Sequence, residues 1–385
     1  MSGISLDGID ETRLDDVAAL ESGDPAQMLR AVASSAAQVR MGMTAAADAG
    51  IDQVRELGRP RAIVVAGMGG SGISGDVLAA IAGPACPVPV VVHRGYGLPG
   101  WVGAADLVFA VSCSGGTEET LTATDEAIRR GAPLVGVGRV GSPLADRCAS
   151  ARAPFVSVTM HVGPRATLWA LATPLLVVAA RFGLVDLGPG DEQLEQAAAR
   201  LEQVAEACRP DRELFVNPAK TLAVELAGSL PMVWGGGQVG PVAAYRMACQ
   251  LAENAKYPCV SGALPEAHHN QVVAFDGLLA GGAAADDIFR DRVDEESPLR
   301  LRLVLLDDEG ADDASRAAVS EEVAQTRGVP VTRLRAEGSS TVERLASLVG
   351  LVDYASVYLA LAQEIDPTPV APIDELKKRL ARPVV

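Results

Sequence analysis

The sequence predicts an α/β protein with two modules, each a mainly parallel sheet flanked by helices, and with helical accessories at both ends. Short apolar runs alternate with helical segments from Arg61 to about Val158, the rhythm of a parallel sheet covered on both faces. The rhythm restarts near Leu230. Each half opens with a strand, a glycine turn and a helix: Ala62-Ile63-Val64-Val65-Ala66 runs into Gly67 to Gly72, and Leu230-Pro231-Met232-Val233-Trp234 runs into Gly235-Gly236-Gly237-Gln238. At 385 residues the chain exceeds one ordinary α/β unit and suits a duplication.

Residues 1–58 read as the N-terminal helical segment, with apolar positions at helical spacing from Met28 through Val39 and again near Val54 and Leu57. The first sheet module spans 59–185. Its strands are expected at 62–66, 88–92, 106–111, 133–137 and 155–158, before a long apolar helix from about Thr167 to Phe182. Asp186-Leu187-Gly188-Pro189-Gly190-Asp191 opens a linker or helical connection over 186–215. The second module, 216–364, has strands expected at 230–234, 272–275, 301–306 and 329–334, with helices over 242–255 and 342–364. The small-residue, charged stretch 281–298 reads as a surface loop or helix. The tail, 365–385, is proline-rich up to Pro372 and then helical from Ile373 to Leu380.

A net charge of −16 argues against a nucleic-acid partner, since that affinity rests on cations meeting phosphates. Met1 to Asp16 is polar and acidic, unlike a signal peptide. The apolar stretch Leu168 to Val185 is interrupted by Pro174 and Arg181 and is too short to span a bilayer, so no membrane partner is expected. Six scattered cysteines without a CxxC pair read as reduced thiols of a cytoplasmic protein, with no zinc site and no disulfide frame. Lysine is scarce (Lys220, Lys256, Lys377 and Lys378), so each remaining one is a mild candidate for a role that arginine cannot fill.

Gly67-Met68-Gly69-Gly70-Ser71-Gly72 turns a strand into a helix. Such a turn aims backbone N–H groups and the positive helix end at one point, which suits a phosphate. The same residues spell the dinucleotide pattern G-x-G-x-x-G, but the next strand ends in His93-Arg94 rather than in a carboxylate for a ribose hydroxyl. Arg94 leaves an NADP-type oxidoreductase as a competing reading. A nucleophile elbow fails because Ile73 stands at its last glycine position. A second loop, Ser112-Cys113-Ser114-Gly115-Gly116-Thr117, brings three hydroxyls to another strand-to-helix turn. Helix capping accounts for one or two of them, but not for three with a paired glycine.

With these loops go Gly163-Pro164-Arg165-Ala166, Tyr245-Arg246, Glu253-Asn254-Ala255-Lys256, His269-Asn270 and Ile373-Asp374-Glu375-Leu376-Lys377. Taken together and in this order, the motifs resemble the bifunctional phosphoglucose/phosphomannose isomerases of the sugar isomerase (SIS) superfamily over nearly the whole chain. The resemblance implies two SIS-type domains and a homodimer whose active sites are shared between subunits. It implies a sugar-phosphate substrate held by Gly70, Ser71, Ser112, Ser114 and Thr117, and no cofactor. Glu253 would be the base between C1 and C2, Arg165 would stabilise the enediolate, and His269 and Lys377 would assist ring opening. The chain departs from the family pattern at Gly116, commonly Asn, and at His268 and Gln271, where Asn and Glu are usual. Extra length relative to compact members is expected near 185–215 and 281–340.

The residues support this chemistry independently. Aldose–ketose isomerisation needs an anion anchor, a carboxylate base, a ring-opening acid–base group and a cation near the enediolate. Glu253 ends an apolar helix, where the negative helix end disfavours its ionised form. Its plainer role is a solvated helix-end carboxylate or an i,i+3 partner of Lys256. His269 lies on a polar segment, and histidine as a residue type suits ring-opening proton transfer, against the plainer role of a surface histidine. Arg165 could simply pair at a helix start, and Lys377 could simply complement a helix end. The histidines lack metal-ligand spacing, so no metal site is expected. The non-enzymatic alternative is a sugar-phosphate-binding SIS regulatory protein, which needs only the anchor.

Overall fold

The computed structural model describes residues 9–51, 56, 58–159, 164–280, 299–308 and 315–380. Helices α1 (Thr12–Asp15), α2 (Val17–Gly23), α3 (Met28–Ala33) and α4 (Ser35–Asp48) precede the first strand. The first half then runs β1 (Ile63–Ala66), α5 (Gly70–Ala82), β2 (Val90–His93), β3 (Leu107–Ser112), α6 (Glu118–Arg129), β4 (Leu134–Gly138), α7 (Pro143–Ala151) and β5 (Phe155–Ser157). Its strands lie in the order β2-β1-β3-β4-β5, all parallel. Helices α8 (Leu168–Arg181), α9 (Glu192–Ala207) and α10 (Pro218–Leu226) lead to the second half. There β6 (Ser229–Gly235), α11 (Gly240–Asn254), β7 (Val260–Ala263), β8 (Arg300–Asp307), α12 (Arg316–Thr326) and β9 (Val331–Arg335) form a second parallel sheet, ordered β7-β6-β8-β9. Helix α13 (Thr341–Ala362) returns through the core, and α14 (Ala371–Leu380) ends the described chain.

In both sheets the first strand lies between the next two, so the turns after β1 and β3, and those after β6 and β8, meet at carboxyl ends. Parallel α/β sheets present ligands at that edge. One apolar core runs through both halves, joining Val65, Val77 and Leu171 to Ala198, Val233 and Val357. Helix α13 is long and apolar enough to cross a membrane by length and composition alone, yet 94% of its apolar window is buried within this fold. Helices α9, α10 and α11 surround it.

The expected strand over 272–275 is instead a 3-10 turn, Gln271–Asp276. Gln271 accepts from the Trp234 indole N–H at 2.7 Å, and Phe275 stacks on the same ring at 5.3 Å. An extended chain would hold these residues about 13 Å apart, too far for both to reach one tryptophan. The strand beside β6 is β7, whose Val-Ser-Gly-Ala run carries no apolar signature. The stretch 281–298 lies outside the described residues. Much of the surrounding 281–340 segment, where extra length is expected, holds β8, α12 and β9. Residues 192–207 likewise form a core helix packed on α4 and α13.

The two halves are clamped by Arg246 of α11. Its guanidinium binds Asp353 of α13 through two bonds of 2.7 and 2.6 Å and donates to the Arg165 carbonyl at 2.8 Å. Gln250 adds a bond of 3.1 Å to Asp353. Burial pushes the Asp353 carboxyl up, and the adjacent guanidinium opposes that rise. Removing one member of a buried pair leaves the other charge without compensation. We therefore expect Asp353→Ala to lower unfolding free energy by about 3–5 kcal/mol in urea titrations, with Asp353→Asn losing less because it keeps an acceptor.

Candidate active site

The first glycine turn is shaped by close backbone approach. Gly69 caps α5 with φ 52° and ψ −130°, a conformation that favours glycine. A Cβ on Gly67 would lie 3.0 Å from both the Ser71 carbonyl carbon and the Val111 oxygen. No side chain caps α5; the Ser71 and Gly72 N–H groups donate to the Met68 carbonyl at 3.1 and 3.3 Å, which leaves the Gly69 and Gly70 amides without a backbone acceptor among the described residues. Ser71 is buried, and its Oγ accepts from the Cys113 N–H at 3.2 Å, tying the first loop to the second.

The second loop is ordered by its own hydroxyls. Ser112 Oγ lies 3.0 Å from Thr117 Oγ1 and accepts from the Gly115 N–H at 3.1 Å. Gly115 has φ 68°, and a Cβ there would fall 2.0 Å from Ser142 Oγ. Thr117 caps α6 by position but makes no side-chain capping bond. Its hydroxyl is turned toward Ser112 instead. Ser114 is exposed and accepts from the Gly116 N–H at 3.3 Å. Ser71, Ser112 and Thr117 thus share one end of the sheet with the α5 N-terminus.

Arg165 and Glu253 come together from different halves. Arg165 lies in the 3-10 turn Pro164–Ala166, only 6% exposed, and its Nη1 is 3.4 Å from Glu253 Oε2. Its Nη2 donates to the Pro367 carbonyl at 3.0 Å and to the Thr368 carbonyl, so the segment before α14 folds over the guanidinium. Glu253 lies on the last turn of α11 with 31% of its side chain exposed. Among the described residues, three buried polar atoms on Arg165 and on residues of the two segments that meet it lack hydrogen bonds: Arg165 Nε, Thr368 Oγ1 and Asn254 Oδ1. Buried polar atoms of this kind commonly mark a place for water or a ligand.

Lys256 completes the cluster. It has φ 56°, and its Nζ donates to the carbonyls of Glu253 at 2.8 Å, Asn254 at 3.2 Å and Pro367 at 3.3 Å. Glu253 is therefore not held by Lys256 through its carboxylate, the plainer role open to it from sequence. Burial, and then Arg165 nearby, lowers the Lys256 pKa. The scarcity of lysine and the motif Glu253-Asn254-Ala255-Lys256 both pointed to Lys256, while nothing in the sequence marked Thr368.

Among the described residues, neither His269 nor Lys377 bonds to this cluster. His269 is exposed on the 3-10 turn Glu266–His269 beyond β7, and its ring makes no hydrogen bond or ion pair with the described residues. Its neighbour His268 is engaged instead, with Nε2 2.6 Å from Ser320 Oγ. Lys377 lies on α14, which buries none of its residues in this single chain. Arg94, which left the dinucleotide reading open, pairs with Asp76 and lies over the Tyr245 ring.

The second glycine turn is occupied from within. The N–H groups of Gln238 and Val239 donate to Asp308 Oδ2 at 3.1 and 3.2 Å, and Arg344 holds Oδ1 at 2.6 Å. Asp307, the last residue of β8, is likewise paired with Arg333 at 2.5 Å. The end of β8 carries carboxylates, whereas β3 ends in the hydroxyl of Ser112. Among the described residues, no side-chain carboxylate lies on the turn after β1.

Residues 215–380 match the family model described as the bacterial phospho-glucose isomerase C-terminal SIS domain. A bifunctional phosphoglucose/phosphomannose isomerase of Caldicellulosiruptor bescii is 32% identical over 327 residues, covering 83% of this chain and 89% of that protein. One from Aquifex aeolicus is 29% identical over 332 residues, covering 86% and 94%. The crystal structure of a putative phosphosugar isomerase from Clostridium difficile 630 shares the fold, with TM-score 0.66 at 12% identity over 91% of this chain and 97% of that one.

Asp308→Ala strips two amides and Arg344 of their anion. The expected cost is about 2–4 kcal/mol of stability, read as a lowered urea midpoint. Added sulfate should recover part of it, because a helix N-terminus without its internal carboxylate accepts an external anion.

Proposed function

The chain belongs to the bifunctional phosphoglucose/phosphomannose isomerase family, and on that premise we propose that it interconverts glucose 6-phosphate and mannose 6-phosphate with fructose 6-phosphate. The observation that carries this reading is the pairing of Glu253 with Arg165 across the two halves, together with a first-half anion turn on which no side-chain carboxylate lies among the described residues. A sensor needs the anchor alone and has no use for a half-buried carboxylate set against a cation.

The reaction follows from these groups. The α5 N-terminus with Gly70, Ser71, Ser112, Ser114 and Thr117 anchors the sugar phosphate through N–H and O–H donors. Glu253 removes the C2 proton of the open-chain aldose. The C–H electron pair moves into the C1–C2 bond, and the aldehyde oxygen takes up the negative charge as an enediolate. Arg165 stabilises that charge where it develops, so the step needs no metal and no cofactor. Protonation at C1 and movement of the C2 hydroxyl proton complete the ketose. Because C2 becomes trigonal, glucose and mannose phosphates share one intermediate and differ only in the face on which C2 regains its proton. His269 and Lys377, exposed in the single chain, are assigned to ring opening, with a homodimer bringing groups of both subunits to each site. A cytoplasmic location suits such a metabolite and the six free thiols.

A coupled assay of chelator-treated protein with fructose 6-phosphate should form both glucose 6-phosphate and mannose 6-phosphate. No turnover, with sugar phosphate still raising the melting temperature, would support the regulatory alternative instead. Glu253→Gln should lower kcat by about 10²–10⁴-fold while fructose 6-phosphate still protects against thermal unfolding. Equal loss of binding and turnover would mark Glu253 as structural.

A further inference from the structure

Arg94 was singled out from the sequence, and the isomerase reading gives it no role. It follows β2, and a Cβ on Gly72 would fall 2.9 Å from its Nε, so the last glycine of the first turn gives it passage. Its guanidinium pairs with Asp76, two turns of the α5 helix beyond the anion turn, with side chains only 31% and 22% exposed. It also lies over the Tyr245 ring, 5.5 Å from the centroid, a separation at which a cation is attracted to an aromatic face. Tyr245 belongs to α11 of the other half. Tyr245, Cys249 and Glu253 recur at intervals of four and so line one face of that helix. Burial pushes the Cys249 thiol up, and the Glu253 carboxylate adds to that rise while Arg94 opposes it.

We propose that Asp76, Arg94 and Tyr245 form a positioning strap that ties the phosphate-anchoring helix α5 to the helix carrying Glu253, fixing the base relative to a sugar held by its phosphate. The inference rests on the isomerase reading and adds residues to it. Arg246 holds α11 to α13 and to the Arg165 carbonyl, but that clamp sets the helix only against Arg165. The strap sets it against the anion turn. The strap assigns none of the three residues a part in the proton transfer. Their effect therefore falls on kcat, since a small misplacement of a base costs rate while phosphate anchoring persists.

The test compares Arg94→Met, Tyr245→Leu, Tyr245→Phe and the double variant Arg94→Met/Tyr245→Leu. Kinetics with fructose 6-phosphate and amide hydrogen exchange along 240–254 are read for each. Arg94→Met and Tyr245→Leu should each lower kcat by about tenfold to a hundredfold with KM changed less than about threefold. The double variant should be no worse than either single one, and Tyr245→Phe, which keeps the aromatic face, should retain most of kcat. Exchange along α11 should rise in the first two variants and not in Tyr245→Phe. If Arg94→Met fails to fold, Tyr245→Leu carries the same comparison. A loss confined to KM would make Arg94 a substrate contact and overturn the strap, as would additive losses or unchanged exchange along α11. Absence of turnover in the unsubstituted protein would defeat the isomerase reading alone, because hydrogen exchange reports on the strap without it.

Discussion

The buried ion pair between Arg246 and Asp353 is the constraint on which the rest of this structure depends. An arginine and an aspartate removed from water are unfavourable unless their remaining hydrogen-bonding capacity is used. Here Gln250 supplies a further bond to the carboxylate, and the Arg165 carbonyl accepts the spare guanidinium N–H. One arginine thereby fixes three things: the approach of α11 to α13, the path of the chain before α8, and the meeting of Arg165 with Glu253. The ion pair at the site is long, 3.4 Å, and partly open to solvent. Its placement comes from the backbone that Arg246 holds, more than from its own attraction.

The two sheets show how a repeated module comes to have unequal halves. Both set a glycine turn at the carboxyl end of a central strand, and both direct helix N–H groups there. In the second half a carboxylate from the chain itself already lies on those amides, neutralised by Arg344. In the first half the neighbouring strand ends in hydroxyls, which bond to each other and to backbone without bringing a charge. Serine and threonine can turn to donate to an incoming anion, whereas an aspartate in that place competes with it. The second half contributes α11, whose last turn sets Glu253 against Arg165. The difference between the two turns follows from which residue type ends β3 and which ends β8.

Much of the fold was legible because parallel strands buried on both faces need unbroken apolar runs. Ile63–Ala66, Leu107–Ser112 and Leu134–Gly138 met that condition and stand where their sequences place them. β7 escaped notice because it is a partly exposed edge strand of small residues. The run at 272–275 misled because an apolar run shows that residues are buried without showing which backbone buries them. Trp234, contributed by a strand far away in sequence, drew Gln271 and Phe275 to itself and made a turn the lower-energy solution.

The same distinction holds at the site. The sequence by itself determined the two glycine turns, the hydroxyl-rich loop and the parallel α/β modules, because each rests on local backbone geometry or on short-range apolar pattern. It also supplied the motif order that pointed to the family. Only the tertiary structure decided that Arg165 faces Glu253, that Lys256 grips carbonyls rather than the carboxylate, and that Thr368 closes over them. It alone decided that Asp308 occupies the second turn and that Arg94 bridges Asp76 and Tyr245. These contacts join residues tens to hundreds of positions apart. Their energies depend on burial and on partners brought in from other elements, and no local pattern in a chain encodes which distant partner a charge will meet.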